Sequence, residues 1–450
     1  MSIIRIVVSA TIALAFLCVS ASVSLADSLS DWDRDEEIRL LRESNEMMRK
    51  QLVEQDKRLA ALEVRESARA SNPTASVDSG PVVEHGDGLQ AVVSGVPIRL
   101  SGFIKGDMLW NNSRVDSTSA PRRSAPGNQG NSDDQFTATV QHSRVAAAIG
   151  PIPVANSTLG GYVELDYFNL SDSGDTNFIN NQLRVRDLYM NVAHEDWTIL
   201  VGQTWDVISP LNPTSLNTNG NYWFGGNAGF RRPQLQVTRR IEWAEDSPLT
   251  LKGSINANVG RTTMPGGVTY NSGRKAGWPV FQAAIEQGLA GFGAGPIRMG
   301  VAGGYGQEDL VGVKNHIDQW AIGGYLRMPI LEWLTLTGEI QHGENTDAFF
   351  MGGGINAAGG SIESTSGWLQ ATLTPLDRWE FNMLFGFDDP KDGDVDDMAT
   401  EQNLLVGASA RFKIFEPLTF GFEYTYFDTD YKELPNGNAH MAWTSLIFNY

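Results

Sequence analysis

The chain has 450 residues, with 34 basic and 53 acidic side chains, a net charge of −19 at pH 7 and a single cysteine, Cys18. That balance argues against a nucleic-acid partner, which needs a basic face, and one cysteine rules out a disulfide framework or a Cys-ligated metal site. Glycine accounts for 47 residues and aromatics for 10%, and no run of ~18 apolar residues follows the N-terminal segment, so spanning helices are excluded while spanning strands are not.

Residues 1–26 read as a secretory signal peptide. Arg5 supplies the positive start, Ile6 to Val19 the apolar core, and Ser24-Leu25-Ala26 the small-x-small cleavage site. Residues 27–70 carry an a/d seam: Ile38, Leu41, Asn45, Met48, Leu52, Gln55, Leu59 and Leu62 alternate steps of three and four. So narrow a stripe predicts a short periplasmic helix that self-associates as a parallel coiled coil, with Asn45 and Gln55 fixing register. The heptads do not separate a dimer from a trimer, and a lone amphipathic helix lying on a barrel mouth is the other reading. Residues 71–96, with Ser, Asn, Pro and Gly and no sustained period, read as a linker.

From 97 to 450 the texture changes to strand-length alternation. Sixteen segments are expected: 98–110, 136–149, 159–170, 182–193, 197–206, 231–244, 249–260, 278–290, 296–307, 317–328, 333–343, 364–376, 378–388, 401–414, 417–428 and 440–450. Long and short connections alternate between them, and the number is even. That predicts an all-β transmembrane barrel of antiparallel strands in the outer membrane of a Gram-negative cell. In the first segment Ile98, Leu100, Ile104, Met108 and Trp110 share the lipid face, while Arg99, Ser101, Lys105 and Asp107 share the other. Trp197, Trp243, Trp278, Trp320, Trp333, Trp379 and Trp443 bracket segments as interface girdles would. The last strand, with Ala442, Thr444, Leu446, Phe448 and terminal Tyr450 on one face, has the form by which barrel-assembly machinery recognises a substrate. Membrane lipid and lipopolysaccharide are the expected surroundings.

Local motifs carry a family resemblance. Leu100-Ser-Gly-Phe-Ile-Lys-Gly-Asp107, Gln141-His-Ser-Arg144, Tyr162-Val-Glu-Leu-Asp-Tyr-Phe168, Leu183-Arg-Val-Arg-Asp-Leu-Tyr189, Leu200-Val-Gly-Gln-Thr-Trp205 and Arg231-Arg-Pro-Gln234 resemble the DcaP-like trimeric outer-membrane porins over roughly 27–450. The run from 162 to 234 is the most specific. The resemblance implies a homotrimer, a third loop folded into the lumen, and passive uptake of small anions such as dicarboxylates, with no cofactor and no reaction.

The candidate pore-lining residues are charged side chains around the long loop 207–230: Arg144, Arg184, Arg186, Arg231, Arg232, Arg239 and Arg240, with Lys105 on the first strand. Guanidinium groups take carboxylates in a two-pronged geometry and stay charged. Two outcomes are open: at least two of them form a basic constriction, or they pair with Glu164 and Asp166 and hold the loop. Asp107, Glu164 and Asp166 are the candidates for a cation filter instead. No metal site is expected. The acidic run Asp388–Asp397 has Pro390 at its third position and Ala399 at its twelfth, so it is not an EF-hand, and the six histidines are scattered. Two other function classes compete with a porin: an envelope tether working through the coiled coil, and a barrel enzyme, for which no Ser/His pairing with supporting spacing exists.

Overall fold

Along each strand, side chains alternate between two faces, and here the two faces meet opposite solvents. The computed structural model describes residues 89–450, apart from 118, 130–132, 169–181, 221, 245–246, 261, 264–268, 271, 292–294, 310–315 and 353–359. The signal segment and the heptad seam from Ile38 to Leu62 lie outside the described residues.

The strands are β1 (Leu89–Val93), β2 (Val96–Asn111), β3 (Gln135–Thr139), β4 (Arg144–Val154), β5 (Ser157–Asp166), β6 (Arg184–His194), β7 (Trp197–Trp205), β8 (Arg231–Glu242), β9 (Pro248–Asn256), the two-residue β10 (Thr262–Thr263) and β11 (Thr269–Tyr270), β12 (Val280–Leu289), β13 (Ile297–Glu308), β14 (Ile317–Leu331), β15 (Leu334–Glu344), β16 (Glu363–Leu376), β17 (Trp379–Pro390), β18 (Thr400–Phe415), β19 (Leu418–Tyr431) and β20 (Gly437–Asn449). Successive strands pair antiparallel, and β20 returns to pair with β2, closing the sheet. β3 and β4 pair with successive stretches of β2 and act as one strand interrupted at 140–143. β10 and β11 pair only with each other. With β1 a short extension beside β2, the closed wall has sixteen strands.

β1 corrects the linker boundary. Its pairing of Leu89–Val93 with Val96–Leu100 is a two-residue hairpin through Ser94 and Gly95, whose φ values of 52° and 82° are those of a type I′ turn. The Ser-Gly signal inside an alternating stretch marks that turn.

Short turns such as 195–196, 332–333 and 377–378 gather at one rim, and the long loops 112–134, 206–230, 257–279 and 345–362 at the other. By barrel convention the short-turn rim is periplasmic. Outward positions are apolar and exposed, inward ones polar or covered: in β2, Ile104 is 58% exposed while its neighbour Lys105 is 0% exposed. A soluble protein does not leave such a band open to water; lipid is the solvent that suits it. Trp197, Trp243, Trp278, Trp333 and Trp379 are exposed on the outside. Trp443 does not belong with them: it is fully buried and points inward, its indole N–H donating to Asp107 Oδ1 at 2.8 Å. Among the described residues no helix is long and apolar enough to cross a membrane; strands do the crossing.

Candidate functional site

The loop 206–230, between β7 and β8, runs into the barrel instead of away from it. A chain segment inside the lumen has left its ladder, so its N–H groups need acceptors from the wall. Gln282 of β12 accepts from the Val207 and Ile208 N–H groups at 2.7 and 3.1 Å. Glu339 of β15 accepts from the Ser209 hydroxyl at 2.5 Å and the Leu211 N–H at 2.8 Å. Gln370 of β16 both accepts from the Thr214 N–H and donates to its carbonyl at 2.8 Å. Glu423 of β19 accepts from the Ser215 hydroxyl, the Leu216 N–H and the Tyr222 hydroxyl at 2.9, 2.6 and 2.7 Å. Between these ties Val207, Leu211, Leu216 and Tyr222 pack with inward-facing Leu384, Leu405, Phe427 and Trp443. Apolar burial of that kind contributes roughly 25 cal/mol per Å². Gly226, at φ 99°, comes so close to β16 that a Cβ there would lie 1.9 Å from the Gly367 carbonyl oxygen.

Two other loops support it. Phe350 of loop 345–362 meets Trp223 and Phe230 edge-on at 4.3 and 4.5 Å between ring centres, and the Phe349 carbonyl accepts from Gly229 N–H at 2.7 Å. From loop 112–134, the Pro121 carbonyl accepts from Asn217 Nδ2 at 2.9 Å and the Arg122 carbonyl from Asn403 Nδ2 at 3.0 Å. Gln282, Glu339, Gln370 and Glu423 were not singled out from the sequence. Their signal is a long polar side chain at an inward position between exposed neighbours, as with Glu423 between Phe422 and Tyr424.

The loop returns to the β4–β6 wall at Thr218–Asn219, where four of the candidate arginines gather. Arg144 donates to the Thr218 carbonyl at 3.0 Å and lies 3.4 Å from Glu164 Oε1. Arg184 grips Asp166 with two bonds, Nε at 2.9 Å and Nη2 at 2.6 Å, and reaches Asn219 Oδ1 at 3.0 Å. Arg186 pairs with Glu164, with Asp166 at 3.0 Å and with Asn219 Oδ1 at 2.7 Å. A bulge makes this possible: Glu164 is opposite Asp187 and Leu165 opposite Val185, leaving Arg186 as the extra residue. Both Arg186 and Asp187 therefore turn inward, and Asp187 accepts from Thr204 Oγ1 at 2.7 Å. Arg231 stacks on Trp205 at 4.7 Å. Its electrostatic neighbours are Arg186, Arg184, Asp187 and Asp166.

The other sequence candidates are elsewhere. Arg232 is buried on β8 just past the loop's end, bound to Asp206 at the loop's start at 2.7 Å and to the Ala348 carbonyl at 2.8 Å, so it ties two loops together. Arg240 shares its face but sits eight residues down β8, about 26 Å along the strand, paired with Glu242 at 2.6 Å near the short-turn rim. Arg239 is on the opposite face, stacked on Trp197 at 5.0 Å and paired with Asp196 at 2.7 Å; it does not line the lumen. Lys105 and Asp107 also fail as lining residues. They pair with each other under full cover, and Asp107 Oδ1 further accepts from Trp443 and, at 2.5 Å, from Ser445. Glu164 and Asp166 are taken up by the arginines and do not form an open cation filter. Asp388 is no loop ligand: it turns inward to accept from the Gly352 N–H and, at 3.2 Å, from Ser364. Among the described residues no group of three or more His, Cys, Asp or Glu could hold a metal ion.

This architecture has known counterparts. The outer-membrane channel DcaP of Acinetobacter baumannii superposes with a TM-score of 0.65 at 17% identity, over 81% of this chain and 100% of that one. An anion-selective porin from Comamonas acidovorans superposes at 0.52 and 11% identity, over 79% and 100%. The likeness to DcaP agrees with the resemblance carried by the motifs. No protein-family model and no curated protein matches this sequence.

Proposed function

We propose that the protein is an outer-membrane porin for passive diffusion of small hydrophilic solutes, biased toward anions such as dicarboxylates. It catalyses no reaction and works as a homotrimer with its heptad segment in the periplasm. The barrel fold, shared with two outer-membrane channels, and the loop held across the lumen support the pore. One observation carries the bias. Around Thr218–Asn219, Arg144, Arg184, Arg186 and Arg231 outnumber Glu164, Asp166 and Asp187, and Arg144 Nε, Arg231 Nη1 and Asn219 Nδ2 have no hydrogen-bond acceptor among the described residues. Donors left in that state favour an arriving carboxylate.

The test is a planar-bilayer measurement in a KCl gradient. A reversal potential of anion sign, with current reduced by succinate, is the expected result. Cation selectivity with succinate inert would overturn the bias, and a folded barrel without conductance would favour the tether.

A further inference from the structure

The long loop 112–134 folds back on itself as a small hairpin. Val115 and Ser124 form an antiparallel bridge, the Arg123 carbonyl accepts from Asp116 N–H at 3.1 Å, and the Arg114 carbonyl accepts from Ala125 N–H at 2.9 Å. That pairing sets Asp116 across from Arg122 and Arg123. The hydroxyl of Thr429 on β19 anchors the hairpin by accepting from Ser124 N–H at 3.1 Å. Asn403 of β18 donates both to the Arg122 carbonyl at 3.0 Å and to the Phe224 carbonyl of the crossing loop at 2.5 Å. The hairpin is thereby clamped onto the crossing loop from the long-loop side.

Within this clamp two guanidinium groups lean on one ring: the Phe224 ring centre is 5.0 Å from Arg122 and 5.3 Å from Arg123. A ring quadrupole holds cations without neutralising them. Asp116 is the carboxylate within ion-pair reach among the described residues, 3.0 Å from Arg122 Nε and 3.7 Å from Arg123 Nε. Its other oxygen accepts from the N–H groups of Arg122 and Arg123 at 3.0 and 3.3 Å. Asp388 lies in the field of Arg123, but Gly352 N–H and the Ser364 hydroxyl hold its oxygens. Arg123 Nη1 donates to Thr400 Oγ1 at 3.0 Å. Both Nη groups of Arg122 and Nη2 of Arg123 meet no acceptor among the described residues, and the two side chains are 19% and 35% exposed. Two guanidinium groups thus share one ion-paired carboxylate, with donors left over toward the water of the mouth.

We infer that Arg122 and Arg123 form an entry site on the extracellular side of the crossing loop, taking a carboxylate of a small anion before it reaches the Arg144–Arg231 group. This rests on the porin reading. Guanidinium groups take carboxylate oxygens in a fork, and the leftover Nη groups are the atoms that do so here. Cations at a mouth raise the local anion concentration and the rate of entry. A pathway also needs sites that bind weakly enough to empty, and partial exposure keeps this one shallow.

Succinate is added to single channels of known orientation, and blocking events are counted from each side. In the double variant Arg122→Gln/Arg123→Gln the event rate from the long-loop side falls at least about threefold at about 0.1 M KCl, while the rate from the short-turn side holds. At about 1 M KCl, where the Debye length has dropped from about 10 Å to about 3 Å, the difference largely disappears. Asp116→Asn keeps an oxygen for the two N–H groups but removes the charge, and it raises the long-loop-side rate. Heat-modifiability shows that each variant has folded. A long-loop-side rate left unchanged by the double variant overturns the entry site and leaves the porin reading standing, as does a conducting wild-type channel that succinate does not block. An equal fall from both sides marks a loosened crossing loop and also overturns the entry site, whereas a wild-type barrel without conductance removes both readings. If the double variant does not fold, Asp116→Asn decides alone: a faster rate supports the entry site, and an unchanged or slower one overturns it.

Discussion

Arg186, toward the extracellular end of β6, has 3% of its side chain exposed and meets Glu164, Asp166 and Asn219. Arg298, toward the opposite rim on β13, has 25% exposed and meets Glu286. The residue type and the inward orientation are the same, but the work is different. Near the loop, Arg144, Arg184 and Arg186 are tied to Thr218, Asn219, Glu164 and Asp166, so most of their donors hold the loop and the wall, and only donors such as Arg144 Nε and Arg231 Nη1 are left over. Near the rim, Arg298 pairs with Glu286 and water reaches it. An inward arginine thus says little about selectivity until the groups it is tied to are known.

The largest way to break this comparison is to release the loop. Replacing Glu339 and Glu423 together with Ala leaves the N–H groups of Leu211 and Leu216 and the hydroxyls of Ser209, Ser215 and Tyr222 without their acceptors. Each charge-assisted bond contributes about 1.5–3 kcal/mol, so the loop should detach while the barrel stays closed. Conductance should rise and protease should cut within 206–230. A folded double variant with wild-type conductance would mean that this loop does not set the constriction.

Next in size is the contrast between the two arginines themselves. Arg186→Gln takes one of two cationic partners from both Glu164 and Asp166 in a covered site, leaving Arg144 and Arg184, at a cost approaching that of a broken buried pair, about 3–5 kcal/mol. Arg298→Gln removes a partly hydrated pair, at about 1 kcal/mol or less. The heat-modifiability midpoint should therefore drop strongly for the first and barely for the second. Equal midpoints would erase the distinction drawn between them.

A third expectation concerns the N-terminal segment. Deleting 27–70 should lower trimer yield, read by light scattering with detergent correction, yet leave the conductance of each folded barrel intact, because residues 71–88 lie between that segment and β1. Loss of conductance from trimeric, folded truncated protein would contradict that independence.

The sequence was most legible where one physical rule governs a whole segment. Lipid outside and polar groups inside impose a period of two, and each of the sixteen alternating segments coincides with a wall strand. It was least legible where partners come from far along the chain. The Arg186 pairing needs a bulge that no local pattern announces, and the Glu423–Leu216 bond joins residues 207 positions apart. Parity also misleads without an inside reference: Trp443 looks like a girdle residue until Asp107 is found beneath it. Arg232 and Arg240 share a face, yet strand rise alone separates them by about 26 Å.

The smallest expected effect tests how loop 345–362 supports the crossing loop. Asp347 lies in the 3-10 turn Thr346–Phe349, outside the spanning strands, with Oδ1 buried and no hydrogen-bond partner among the described residues. Burial, with Glu308 nearby, raises its carboxyl well above the usual carboxylate range. A raised acid holds its proton longer in the docked loop than in the released one, so the docked form binds more protons at intermediate pH. Docking is then strongest below the ordinary carboxyl range near 3.8 and weakens as pH climbs from there to the raised value. Asp347→Asn removes the ionisation and should flatten this dependence without breaking the Arg232 bond to the Ala348 carbonyl. The check is the ratio of wild-type to variant cleavage within 345–362 by one protease at pH 5 and pH 8, which cancels the protease's own pH response. That ratio should increase toward pH 8; a constant ratio would show that Asp347 ionises without loosening the loop, and the support would then rest on the Phe350 ring contacts and the bonds from Gly229 N–H to Phe349 and from Arg232 to Ala348.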